Sequence, residues 1–261
     1  MIYSPLPGEY IGSAVRRGKE LTGLKSNSTE YSIKTIIENR TQKIVFPSSF
    51  VEHGITEEVL NENTIYPLAK ALGSIQTGTN YTPLKNWKIC LQCIADDIEK
   101  YGAPYIHRRN VFSIISHCSL HATKLYKNCP SCFKLVSSHK ISEFIKCRKR
   151  FSFDPPNPNS TNHSFSIFVS DLLNYNGEKI CSKLVEWKVF EDLAITQYNG
   201  DYSDAFYNII KDANKALETN TSSASLRGLT FNNRAILTFF AYKTSQKYLD
   251  AMTRIVKLSR K

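Results

Sequence analysis

Six of the chain's seven cysteines fall between residues 90 and 147, and only Cys181 lies outside that window. Cysteines used as small apolar filler would be scattered. These come as short knuckles: Cys90 and Cys93 two residues apart in "KICLQCIADD", then Cys118 and His121 in "CSLH", then Cys129 and Cys132 in "CPSC", then Cys147. The N-terminus "MIYSPLPGEY" carries neither a basic start nor an apolar stretch, so no secretory signal is expected. Clustered thiols in a reducing compartment bind metal more often than they pair with each other.

The first four positions read C-x2-C-x24-C-x2-H. Two knuckles from separate stretches of chain can bring four soft donors to the corners of a tetrahedron, the geometry zinc accepts. Thiolates select zinc over magnesium or calcium, and four protein ligands leave no open position for a catalytic water. Cys90, Cys93, Cys118 and His121 are therefore expected to hold a structural zinc. A second set, Cys129, Cys132 and Cys147, lacks a fourth cysteine because Arg150 stands where a C-x2-C partner would put one. His139 is the candidate fourth ligand; the alternative is a vestigial knuckle packed as filler. Sequence alone leaves open a cross-braced pairing of the first knuckle with the third.

Catalytic readings of the knuckles find little support. A thioredoxin-like couple needs a strand–CxxC–helix context. A zinc deaminase needs H-x-E before P-C-x-x-C, and none of the six histidines has glutamate two residues on. There is no G-x-x-x-x-G-K-[ST] phosphate loop. No apolar run is long enough to span a bilayer. Lysine and arginine together number 34 against 23 acidic residues, a surplus of eleven that favours a polyanionic partner.

The expected fold is mainly α in three parts. Residues 1–87 read as a helix-turn-helix-like unit: a helix in "GEYIGSAVRRGKELTG" stopped at Gly23, a second in "STEYSIKTIIENR", and a third capped by Thr56. Residues 88–152 form the zinc-binding, ribbon-like unit, and 153–164 ("FDPPNPNSTNHS") a linker. Residues 165–261 form a C-terminal helical domain with Ser203 and Asn232 or Asn233 as N-caps. Basic side chains at Arg16, Arg17, Arg108, Arg109, Lys146, Arg148, Lys149 and Arg150 are the candidate nucleic-acid or partner contacts.

The order of these features resembles the TniQ/TnsD family of bacterial transposition proteins. The resemblance rests on Pro5, Pro7, Glu9, Ser13 and Arg16 in the opening "PLPGEYIGSAVRR", on "FPSSF" and "NTIYPL", and on the CxxC, CxxH and following knuckle. It covers about residues 3–135. Leu91 and Ser119 replace prolines usual in the first two knuckles, and Ala122 replaces the glycine usual after the histidine. The resemblance implies a non-enzymatic target-selection adaptor in the bacterial cytoplasm, near the nucleoid. Such an adaptor links a target-recognition device, such as an RNA-guided Cascade-type effector of a CRISPR-associated transposon, to an AAA+ ATPase regulator. The alternative it implies is a TnsD-like DNA-binding protein that reads the insertion site itself. A homodimer is also among the expected partners; a membrane is not.

Overall fold

The computed structural model describes residues 4–23, 30–37, 40–47, 56–74, 87–197, 202–219 and 229–259. Among these the architecture is mainly α. The order is α1 (Ile11–Thr22), β1 (Glu30–Ile37), β2 (Arg40–Pro47), α2 (Glu57–Asn63), α3 (Tyr66–Ala71), α4 (Leu91–Tyr101) and the single turn α5 (Phe144–Cys147). Then follow α6 (Thr161–Leu172), α7 (Ser182–Gln197), α8 (Tyr202–Ala216), α9 (Phe231–Tyr242) and α10 (Ser245–Ser259).

The N-terminal part departs from the expected three-helix arrangement. "STEYSIKTIIENR" is the first half of an antiparallel hairpin running in register from Glu30↔Pro47 to Ile37↔Arg40. Tyr31, Ile33, Thr35 and Ile37 recur at period two as well as at helical spacing, and β-branched residues favour the pleated option. The other two helices form where expected. Gly23 ends α1 in the left-handed region at φ 71°, and the Thr56 side chain accepts from the Val59 N–H to cap α2.

Helix α1 is joined to the cysteine-knuckle segment by a buried carboxylate. Glu9 accepts from the Leu6 N–H at 2.9 Å, the Ser13 hydroxyl at 2.9 Å, and Arg17 through Nε at 3.2 Å and Nη2 at 2.7 Å. Ser13 in turn accepts from the Ile106 N–H at 2.9 Å, and Asn63 donates to the Glu9 carbonyl at 2.9 Å. Positions 9, 13 and 17 follow one another by a helical turn, so one face of α1 stitches the opening turn, α2 and residue 106 together. The arginine completing this motif is Arg17, one residue beyond the Arg16 that the family resemblance singled out.

The C-terminal helices gather around α9, which packs on α6, α7, α8 and α10. Phe165 and Phe168 lie 5.2 and 5.6 Å from the Phe239 ring, and each is worth about 2 kcal/mol or more in burial. This group docks on α3: Tyr248 donates to the Ala71 carbonyl at 2.6 Å, and the Ile180 N–H to the Lys70 carbonyl at 3.2 Å. Gly73, at φ 65°, lets the chain pass so close that a Cβ there would meet the Ser182 Cα at 2.7 Å. The apolar core is continuous from Tyr10 to Met252.

Four features of the C-terminal part differ from the sequence expectation. The 153–164 stretch ends inside α6, whose cap is Ser160, and it lies on the knuckles: Tyr126 donates to Asp154 and the Asn157 N–H to the Ala122 carbonyl at 2.9 Å. Thr230, rather than Asn232 or Asn233, caps α9, accepting from the Asn233 N–H. Ser203 sits within α8, and the apolar stretch "NNRAILTFFAYKTSQKYLDAMTRIVKL", helical in spacing throughout, is divided at Lys243 (φ 62°) into two helices.

Removing one partner of a buried ion pair leaves the other charge uncompensated. Arg17→Met is therefore expected to lower unfolding free energy by about 3 kcal/mol, measured by chemical denaturation. An effect within the range of a surface substitution would contradict the anchoring role of Glu9.

Candidate metal centres

Cys90 is the N-cap of α4 and Cys93 lies in its first turn, so a spacing of three puts both sulfurs at the helix N-terminus. Opposite them, the Cys118–His121 knuckle is closed by the Cys118 N–H on the Thr123 carbonyl and the Ala122 N–H on the Cys118 carbonyl. The four donors converge. His121 Nδ1 stands 3.5, 3.3 and 3.7 Å from the sulfurs of Cys90, Cys93 and Cys118, and Cys93 Sγ lies 3.6 Å from Cys118 Sγ. Zinc–sulfur bonds of about 2.3 Å and zinc–nitrogen bonds of about 2.0 Å at tetrahedral angles give edges of about 3.5–3.8 Å. The fit is close.

The surroundings of this centre suit a bound cation. His121 Nε2 faces Asp96 at 3.0 Å, the carboxylate–histidine pairing that fixes which ring nitrogen meets a metal. Arg109 Nη2 donates to Cys93 Sγ at 3.5 Å, and that sulfur holds its pKa up against the opposing effect of burial. Hydrogen bonds from the Cys90 and Cys93 thiols pull Cys118 down to about 3, while Cys93 is held far above the ordinary thiol range. A divalent cation would hold all three sulfurs as thiolates.

The second cluster is complete as well. Cys129, Cys132, His139 and Cys147 place one ligand atom each within 4.8 Å of one another, so His139 supplies what position 150 does not. His139 Nδ1 bonds the Lys140 carbonyl at 2.6 Å, which turns Nε2 toward the sulfurs of Cys132 at 3.2 Å and Cys147 at 3.6 Å. Phe144 stacks on the imidazole at 4.1 Å. Each centre is built from consecutive knuckles, so the cross-braced pairing is not the one adopted. Both sets, three sulfurs and one imidazole, can hold a metal ion, and the donor chemistry is compatible with zinc.

Helix α1 also secures the second centre. Glu20 accepts from the Ile141 and Ser142 N–H groups at 2.7 and 2.9 Å. Arg16 lies 4.1 Å over the Trp87 ring and donates to the Val136 and His139 carbonyls, each at 3.3 Å.

Four of the candidate contact arginines are therefore engaged inside the fold. Arg16 and Arg17 make the bonds just given, Arg108 donates to the Asn61 carbonyl and to Asn174 Oδ1, and Arg109 serves Cys93. A planar guanidinium finds fixed acceptors at each site, so each of these arginines has a structural role within the chain itself. His107 pairs with Asp97 at 3.0 Å, and burial holds its imidazole toward the neutral form. Lys146, Lys149 and Arg150 are exposed and Arg148 half-buried. The sequence reading singled out Glu9 without its buried role and missed Glu20 and Asp96, although Asp96, three residues after Cys93 on α4, was a readable signal.

No protein-family model matches this chain, and no curated protein matches it.

Metal analysis of the purified chain is expected to give two equivalents, with Cys93→Ser and Cys147→Ser each removing one. A ratio below about one, against two closed sites, would contradict this. Ala122 ends its knuckle at φ 54°, in the left-handed region that costs a residue with a Cβ about 1 kcal/mol. Ala122→Gly should therefore raise stability by about that amount at unchanged metal content, read from thermal melts; a lower melting temperature would count against the strain.

Proposed function

We propose that the chain is a non-enzymatic, metal-stapled adaptor of the TniQ type. It would link a target-recognition complex, such as an RNA-guided Cascade-type effector, to an AAA+ transposition regulator. The observation that carries this reading is the pair of closed Cys3His centres, which α1 clamps through Glu9, Arg16, Arg17 and Glu20. Four protein ligands at each centre leave a metal no position for substrate, so the metal's part is to hold the fold. The first centre and α1 lie in the segment on which the sequence resemblance rests, and the second centre begins there at Cys129 and Cys132.

The charge distribution is consistent with it. Residues 124–150 carry eight cations and one acid, most of the chain's surplus of eleven. The arginines drawn into the fold leave this segment as the polyanion-facing part. Among the described residues no helix is long and apolar enough to cross a membrane. The adaptor reading places the protein with its partners in the bacterial cytoplasm, beside the nucleoid.

Affinity purification of the tagged, metal-loaded chain from its native cell, followed by mass spectrometry, tests the proposal. An AAA+ ATPase and a ribonucleoprotein effector are expected together, and the isolated chain should hydrolyse no ATP. Recovery without any ATPase would overturn the adaptor reading. Salt-resistant enrichment of one genomic DNA site, with no effector, would favour direct site reading instead.

A further inference from the structure

The knuckle "CPSCF" ends in a residue that its position does not want. Phe133 lies at φ 61°, where a bulky side chain is a genuine outlier and glycine is the inexpensive choice. The backbone is held there by the Phe133 N–H on the Cys129 carbonyl at 2.8 Å and by Asn128 Nδ2 on the Phe133 carbonyl at 2.9 Å. The equivalent position of the first centre carries Ala122, whose side chain is buried. Phe133 is 78% exposed, so its ring returns almost nothing to the core. A phenyl group kept in a strained conformation and turned to solvent has its use outside the chain.

Its surroundings say what kind of use. Lys134 adjoins it, sharing Glu143 with Lys140 at 3.5 and 4.0 Å, the one acid among the eight cations of residues 124–150. Cys147 closes the same metal centre, and Lys146, Lys149 and Arg150 flank it, exposed and with no ion pair among the described residues. An exposed ring beside a phosphate-neutralising belt is the combination that binds single strands, with the ring taking a base face and the cations the backbone. Duplexes keep their bases stacked, and RNA is the nucleic acid that regularly offers unstacked loops and ends.

We propose that the second metal centre is a single-stranded RNA contact, with Phe133 as the base-stacking platform and Lys146, Lys149 and Arg150 as phosphate contacts. The inference rests on the adaptor reading and deepens it, giving the RNA of a recognition complex a place to bind. A protein partner seated on the same ring is the competing outcome.

Fluorescence anisotropy of the isolated, metal-loaded full chain would use a labelled 20-nucleotide single-stranded RNA, the same sequence as single-stranded DNA, and the matching RNA duplex. The RNA strand should bind tightest. Phe133→Ala and Phe133→Leu should each weaken it roughly fivefold or more, Phe133→Trp should restore it, and duplex binding should stay within twofold. Lys146→Ala/Lys149→Ala/Arg150→Ala should weaken all three probes and flatten the salt slope for RNA by about 2. Metal content and melting temperature of each variant report whether it folds. RNA affinity within twofold of the parent in folded Phe133→Ala would overturn the proposal, as would equal affinity for the DNA strand. Full RNA affinity of Phe133→Leu would show that an apolar side chain suffices without a stacking face, and would also overturn it. The assay contains neither effector nor ATPase, so its failure leaves the adaptor reading to its own test.

Discussion

Three sulfurs and an imidazole nitrogen within 4.8 Å of one another repel as soon as the thiols ionise, unless a cation stands among them. The chain meets that constraint twice, and much of its organisation answers to it. Segment 88–150 places α4 with its N-terminus at the first centre and reduces the second to turns around His139. A structural zinc in a Cys3His site can contribute about 10 kcal/mol or more to folding, comparable to the whole stability of many domains. The long helices of the C-terminal part do not require such help, having the rings of Phe165, Phe168 and Phe239 to bury.

The charges divide by the same logic. Where a guanidinium meets fixed carbonyls, a buried carboxylate or a cysteine sulfur, it becomes part of the frame, as Arg16, Arg17, Arg108 and Arg109 do. Lys146 and Lys149, on short turns beside the second centre, have no such acceptor among the described residues and stay in water. The fold so built presents a cationic edge around the second centre, with α1 as the strut between the two centres. Glu9 and Glu20, eleven residues apart, face α1's two attachments and keep the centres in fixed relation.

The ligand set was legible because chemistry fixes it: few residue types bind a soft cation, and knuckle spacing limits how they converge. His139 was the one sequence candidate able to complete the second set, and it does so with its tautomer fixed by Lys140. The helices with strong caps, at Thr56 and Gly23, were legible too. The hairpin was not, because Tyr31 to Ile37 satisfies both periods and only β-branching tips the balance. The roles of the arginines were hidden for a different reason. Whether a cation faces solvent or a carbonyl depends on contacts such as those of Arg16 with residues 136 and 139, more than a hundred positions away. Phe133 had a signal, a bulky residue where a knuckle turns left-handed, which is meaningful only once φ is known.

Cobalt(II) titration of the chelated chain tests most directly the claim that two closed tetrahedral centres hold this fold. Visible absorption should grow with the intensity of tetrahedral thiolate coordination and saturate at two equivalents, and native circular dichroism should return in step with it. A weak octahedral spectrum, saturation without thiolate charge transfer, or a native signal that never left on chelation would contradict the account.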